Sequence, residues 1–291
     1  MRYVEMFSAE TRTVDGIHIA FRRAGDGPPL LLLHGFPQTN MMWHRIAPAL
    51  ADHFTVIAAD LRGYGDSSTP ESAPDHAPYA KRAMAADMVR LMTALGYDRF
   101  MVAGHDRGGR VAHRMARDHA DRVQRIAVLD IAPTAAMYGQ TDMRFATAYY
   151  HWFFLIQPAP LPERMIGADP EFYLRSKCGQ WGRTAGAITD EAFADYLRCF
   201  RRPETVHAMC EDYRAAATID LVHDATDTDS RLDMPLLALW GNDGFVGTHY
   251  DVLAEWRQVA HDVTGHGVSG GHYLPEEAPD ETLAALLGFF S

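Results

Sequence analysis

Short, unbroken apolar runs punctuate the first half of the chain: Pro29–Leu33, Phe54–Ala59 ahead of Asp60, Phe100–Gly104, and Ile126–Leu129 ahead of Asp130. Continuous rather than alternating hydrophobicity over so few residues marks strands buried on both faces of a parallel sheet. Helical periodicity lies between them, at Met42–Ala51, Ala83–Leu95 and Gly108–Asp118; in the last, Val111 with Met115 and Ala112 with Ala116 form one apolar stripe. Upstream, Thr11–Ile19 and Ala20–Arg23 read as paired strands around Asp15-Gly16, a hairpin turn signal. Strands alternating with helices imply a mostly parallel central sheet flanked by helices on both faces. The alternation stops after Ile131-Ala-Pro133. A long aromatic and helix-forming stretch follows, and strand character resumes at Pro235–Gly241. A helix near Tyr250–Val259 and a terminal one over Glu281–Phe290 complete the pattern. The chain therefore divides into a first core segment (1–132), an inserted helical cap (133–230) and a second core segment (231–291). Such a cap sits over the carboxyl ends of the strands, where open α/β sheets place their sites.

Composition narrows the function classes. The chain has 291 residues, 38 acidic against 27 basic, with a formal net charge of −11. An acidic surface without Lys/Arg clusters argues against a nucleic-acid partner. The longest run of Leu, Ile and Val, Leu30–Leu33, is far too short to span a bilayer, and Met1-Arg-Tyr-Val-Glu-Met6 carries no apolar signal core. A soluble, cytoplasmic enzyme is expected. Cys178, Cys199 and Cys210 are odd in number and lack Cys-x-x-Cys spacing, so neither a disulfide framework nor a metal site is expected.

The sharpest local signal is Val102-Ala-Gly-His-Asp106-Arg-Gly-Gly109, between a buried strand and an amphipathic helix. Small residues on both sides of a central reactive residue permit a strained strand-to-helix turn that pushes its side chain out above the sheet. Gly and Asp also serve ordinary turns and caps, so the motif gains weight from its companions. His34-Gly-Phe-Pro37 follows the first buried strand, and Gly271-His272-Tyr-Leu-Pro275 lies near the carboxyl terminus. Together these features resemble the α/β-hydrolase family. That resemblance makes Asp106 the nucleophile and His272 the base, with the backbone N–H groups of Phe36 and Arg107 as the oxyanion site. An aspartate nucleophile is already ionised at neutral pH. On an ester it would give only an exchangeable anhydride, so its natural target is an sp³ carbon bearing a leaving group. Dehalogenation or epoxide opening follows, with no cofactor or metal.

Arg107 and Arg110 lie beside the anionic nucleophile, an arrangement that makes sense when the substrate is itself a carboxylate. The alternative for Arg110 is a solvated helix face shared with Arg114 and Arg117. From about Leu30 to Pro279 the chain is similar to fluoroacetate dehalogenases. The stretches that carry the likeness are Gly104–Arg110, Tyr150–Phe154, Gln157–Glu163, Asp212–Ala215 and Gly271–Pro279. The resemblance implies that Arg107 and Arg110 hold the substrate carboxylate of a haloacetate, and that His151, Trp152 and Tyr213 receive the halide. It also implies a homodimer. On their own, the aromatic run Tyr149–Phe154 and Tyr213 read equally as core. Trp181 and Lys177 are further candidates to line the site. The acid that supports His272 is Asp130, the choice favoured by the resemblance, or Asp243, after the next strand. The rival activity is an epoxide hydrolase in which His151 and Tyr213 act as ring-opening acids. A non-catalytic ligand receptor on the same scaffold is the third reading.

Overall fold

The structure, a computed structural model, describes residues 3–227 and 230–291. Eight strands build one sheet: β1 (Ser8–Val14), β2 (Ile17–Ala24), β3 (Pro29–Leu33), β4 (Thr55–Ala59), β5 (Phe100–His105), β6 (Val123–Leu129), β7 (Leu236–Gly241) and β8 (Val263–Val268). Their spatial order is β1-β2-β4-β3-β5-β6-β7-β8. β1 and β2 form an antiparallel hairpin in which Asp15 and Gly16 take φ of 46° and 79°, as a two-residue primed turn requires. β2 runs antiparallel to β4, and every pair from there to β8 is parallel. All side chains of β4 and β5 are buried, as are Leu30–Leu33 of β3, which is why their sequences carry no polar alternation.

Helix α1 (Lys81–Ala94) packs on β1 and β2 and against helix α2 (Arg107–Asp118), which packs on β5 and β6. From Thr134 to Ala225 the chain forms only helices and their connections. Those used below are α3 (Met143–Ala148), α4 (His151–Phe154), α5 (Pro170–Trp181) and α6 (Pro203–Ala217). Their starts are written locally. Asp142 and Asp169 each cap a helix by accepting from the backbone N–H three residues on, and Pro170 fills the first helical position, where no N–H is needed. The terminal helix α7 (Pro279–Phe290) returns to the core face. Among the described residues no helix is long and apolar enough to cross a membrane.

One element departs from expectation. Met42–Ala51 forms a tight 3₁₀ turn (Asn40–Trp43) and a single helical turn (Ala47–Leu50) instead of one helix. Pro48 has no N–H to offer the His44 carbonyl and its ring collides with that group, so the helix cannot run through.

The parallel strands all point their carboxyl ends the same way. That edge presents Phe36 after β3, Asp106 after β5, Asp130 after β6 and His272 in the loop after β8.

Candidate active site

Asp106 ends β5 and begins α2 with φ 45° and ψ −113°, a conformation that costs a non-glycine residue about 1–3 kcal/mol. The turn is enforced by close backbone packing. A Cβ on Gly104 would lie 2.4 Å from the Gly108 carbonyl oxygen, and one on Gly108 would lie 2.4 Å from that of His34. Only glycine fits either position, so the glycine spacing around Asp106 is a steric requirement. The carboxylate is then fixed by the Phe36 N–H, which donates to Oδ2 at 3.0 Å. Burial resists ionisation of Asp106, but the charges of His272, Arg107 and Arg110 outweigh it and hold the carboxyl below its usual pKa.

His272 shares a 2.6 Å hydrogen bond from Nδ1 to Asp130 Oδ2, while Asp130 Oδ1 accepts the Gly241 N–H at 3.0 Å. With Nδ1–H donated to the carboxylate, Nε2 is left as the basic nitrogen on the side of the cavity that Asp106 also lines. Burial favours neutral imidazole, yet the Asp130 hydrogen bond and the charges of Asp130 and Asp106 raise the pKa of His272 above 6.5. His105 locks the loop from below. Its Nε2 donates to the His272 carbonyl at 2.7 Å, and burial drives its own pKa down to about 3, so it stays neutral. Of the two candidate acids, the structure joins Asp130 to His272. Asp243 sits in the turn after β7 and lines a different, outer cavity.

The two arginines are both buried, and they differ. Arg107 makes a two-pronged ion pair with Asp212, Nε to Oδ2 at 2.9 Å and Nη2 to Oδ1 at 2.7 Å, and its guanidinium stacks on the Tyr213 ring at 4.2 Å. Asp212 in turn receives Tyr64 Oη at 2.7 Å and the Lys81 ammonium, which also reaches Asp220 at 3.6 Å. Arg107 Nη1 keeps no partner among the described residues. Among the described residues Arg110 makes no direct ion pair with a carboxylate. It donates to the Ala132 carbonyl (3.2 Å), Thr134 Oγ1 (2.9 Å) and Met137 Sδ (3.1 Å), and lies 4.8 Å from the Trp152 ring centre. Arg110 and Arg114 are both buried, so the solvated-face alternative for them does not hold, whereas Arg117 is half-buried.

His151 and Trp152 of α4 reach the cavity from the helical segment. His151 Nδ1 is buried without a partner among the described residues, and burial followed by the Lys177 charge drives its pKa well below 6.5. The imidazole is thus a neutral donor. Its ring lies 5.5 Å from that of Tyr213 and 4.4 Å from that of Trp181. Burial, then the Asp106 charge, keeps the Tyr213 phenol protonated. Asp106, Tyr149, His151, Trp152, Trp181 and His272 enclose a cavity of about 10 Å³, room for about one water. Arg107, Arg110 and Tyr213 adjoin that lining through Tyr213–His151 and Arg110–Trp152 contacts without forming it. Lys177 stands a layer back. Its ammonium rests 3.7 Å from the Tyr150 ring and 5.1 Å from Trp181, and burial pushes its pKa down to about 7. Among the described residues no three His, Cys, Asp or Glu side chains gather into a metal-binding group.

Sequence reasoning did not single out Tyr149 as a wall, nor Lys81 and Tyr64 as partners of Asp212. The one available signal was Asp212 itself, adjacent to Tyr213.

A strained aspartate elbow on a parallel sheet, with His and Asp from the following strand ends, defines a hydrolase of one architecture. Residues 28–279 match the alpha/beta hydrolase fold family, and the chain belongs to it. Among curated relatives it is 46% identical to fluoroacetate dehalogenase from Burkholderia sp, over 92% of this chain and 88% of that one. It is 36% identical to soluble epoxide hydrolase from Corynebacterium sp. (strain C12), over 96% and 95%. Among solved structures, ALR0039 from Nostoc sp PCC 7120 is 56% identical with a TM-score of 0.97, covering 98% of each chain.

Proposed function

We propose that the protein hydrolyses haloacetates, with fluoroacetate converted to glycolate and fluoride through an ester on Asp106. The observation that supports this most is a carboxylate nucleophile set beside two buried guanidinium groups, one of which, Arg110, makes no direct ion pair with a carboxylate among the described residues. Two anions about 4 Å apart repel by about 4 kcal/mol at an effective dielectric near 20. An anionic substrate next to Asp106 therefore needs fixed positive charge, and Arg110 offers it together with Arg107 Nη1, which is unpartnered among the described residues.

In the first step an Asp106 oxygen attacks the methylene carbon, forming a C–O bond as the C–F bond breaks. The electron pair leaves with fluoride toward the His151, Trp152 and Tyr213 donors. In the second, His272 Nε2 takes a proton from water, whose oxygen adds to Asp106 Cγ. The Phe36 and Arg107 N–H groups receive the developing oxyanion, and Asp130 stabilises the imidazolium. Collapse returns the Asp106 carboxylate and releases glycolate, and His272 gives its proton to solvent.

Opening of an epoxide is the second reading, favoured by the Corynebacterium relative and by the His151 and Tyr213 donors, which would protonate the ring oxygen. Neutral epoxides leave the buried Arg110 charge unexplained. Fluoride release from fluoroacetate, run beside diol formation from styrene oxide, separates the two. Fluoride without diol is expected, and diol without fluoride would reject the haloacetate reading.

A further inference from the structure

The cavity at Asp106, with room for about one water, cannot admit a haloacetate unless part of its wall moves. A larger cavity of about 610 Å³ opens to solvent on the other side of two of its side chains, Tyr149 and Trp181, which line both spaces. Their rings meet edge to face with centres 6.1 Å apart. The Trp181 indole makes no hydrogen bond among the described residues, since its buried Nε1 has no acceptor there. Rotating that indole breaks no hydrogen bond.

The outer cavity carries two exposed arginines. Arg144 Nη2 donates to the Thr248 carbonyl at 3.2 Å, and Arg183 Nε donates to the Asp243 carbonyl at 3.1 Å. Both of those acceptors are neutral. The carboxylate of Asp243 lines the same space, so the arginines leave it with an excess of positive charge on a chain of net charge −11. A local cation pair in a concave site raises the encounter rate of small anions, an effect that salt suppresses.

We propose that this outer cavity is a capture subsite for small carboxylates: Arg144 and Arg183 hold the anion before it passes between Tyr149 and Trp181 to Asp106. The proposal rests on the reading of the substrate as a carboxylate, and its test is separable from that reading. Slow carbon–fluorine cleavage would hide a capture effect from kcat/KM, because on- and off-rates change together. The informative quantity is the association rate of acetate, which carries the carboxylate and no leaving group, followed by stopped-flow tryptophan fluorescence at several salt concentrations.

In the Arg144→Gln/Arg183→Gln double variant, association should slow about tenfold at low ionic strength and lose most of its salt dependence, with kcat for fluoride release unchanged. Trp181→Ala should speed both association and dissociation. Normal turnover together with an unaltered association rate and salt slope in the double variant would overturn capture, and an unaltered rate in Trp181→Ala would overturn the passage. If the wild type released no fluoride while acetate association still depended on both arginines, the haloacetate reading would fail and the capture subsite would stand.

Discussion

Replacing Arg110 by methionine separates function from stability in a way the neighbouring Arg107 cannot. Arg110 is a buried cation whose hydrogen bonds, among the described residues, go only to a carbonyl, a hydroxyl and a thioether, and it feels the Asp106 charge without pairing directly to it. Burying such an ion costs several kcal/mol after relaxation, while its neutral hydrogen bonds return about 1.5–3 kcal/mol each at most. Methionine fills much of the same space against Trp152 and removes the charge. The unfolding free energy of Arg110→Met is therefore expected to stay constant or rise by about 1–2 kcal/mol. Arg107→Met strips a buried ion pair and leaves Asp212 with surplus charge, so it should lose about 3–5 kcal/mol. Activity behaves differently. If the two guanidinium groups share the offset of a repulsion near 4 kcal/mol, losing Arg110 costs about 2–3 kcal/mol in the transition state, on the order of a hundredfold in kcat/KM for fluoroacetate. Urea denaturation and fluoride-electrode kinetics on the two variants measure both quantities. An Arg110→Met enzyme that keeps full kcat/KM, or that is as destabilised as Arg107→Met, would refute the reasoning.

Two further predictions follow from the His272 environment. Asp130→Asn preserves shape but removes the charge that orients and stabilises the imidazolium. Decay of the Asp106 ester in single-turnover mass spectrometry should slow by on the order of a thousandfold or more, whereas Asp243→Asn should leave that decay within about twofold. Ester hydrolysis needs neutral His272, so its rate should rise with pH. In the free protein the pKa of His272 lies above 6.5, raised in part by the Asp106 charge. Esterification abolishes that charge. The midpoint for ester decay should therefore lie at lower pH than the midpoint for His272 in the free protein, read by NMR, and equal midpoints would count against the geometry.

The legible parts of the sequence were those with local causes. The apolar runs of β3, β4 and β5 show no polar alternation, Thr55 and His105 at the strand ends aside, because neither face of those strands meets water. Gly104 and Gly108 are forced by contacts across the elbow, so the motif betrays the turn. Asp130 and Asp243 were undecided because both sit at strand ends on one sheet edge. Strand register settles where each goes. The Asp130 N–H binds the Leu239 carbonyl and its Oδ1 takes the Gly241 N–H, which turns Oδ2 toward His272. The pairing of Asp212 with Arg107 and Lys81 spans 105 and 131 residues, and no spacing rule reaches that far. Pro48 was the missed local cue: its consequence for the preceding turn overrides the helical periodicity around it.

The proposed reaction turns on a covalent aspartyl ester cleaved at Asp106 Cγ. A single turnover with enzyme in excess of fluoroacetate, in water enriched in oxygen-18, tests it most directly. The label should enter the Asp106 carboxylate, found in the peptide containing that residue, and the glycolate formed should carry ordinary oxygen. Label in the glycolate with none at Asp106 would mean that water attacks the substrate carbon directly and that no ester forms on Asp106.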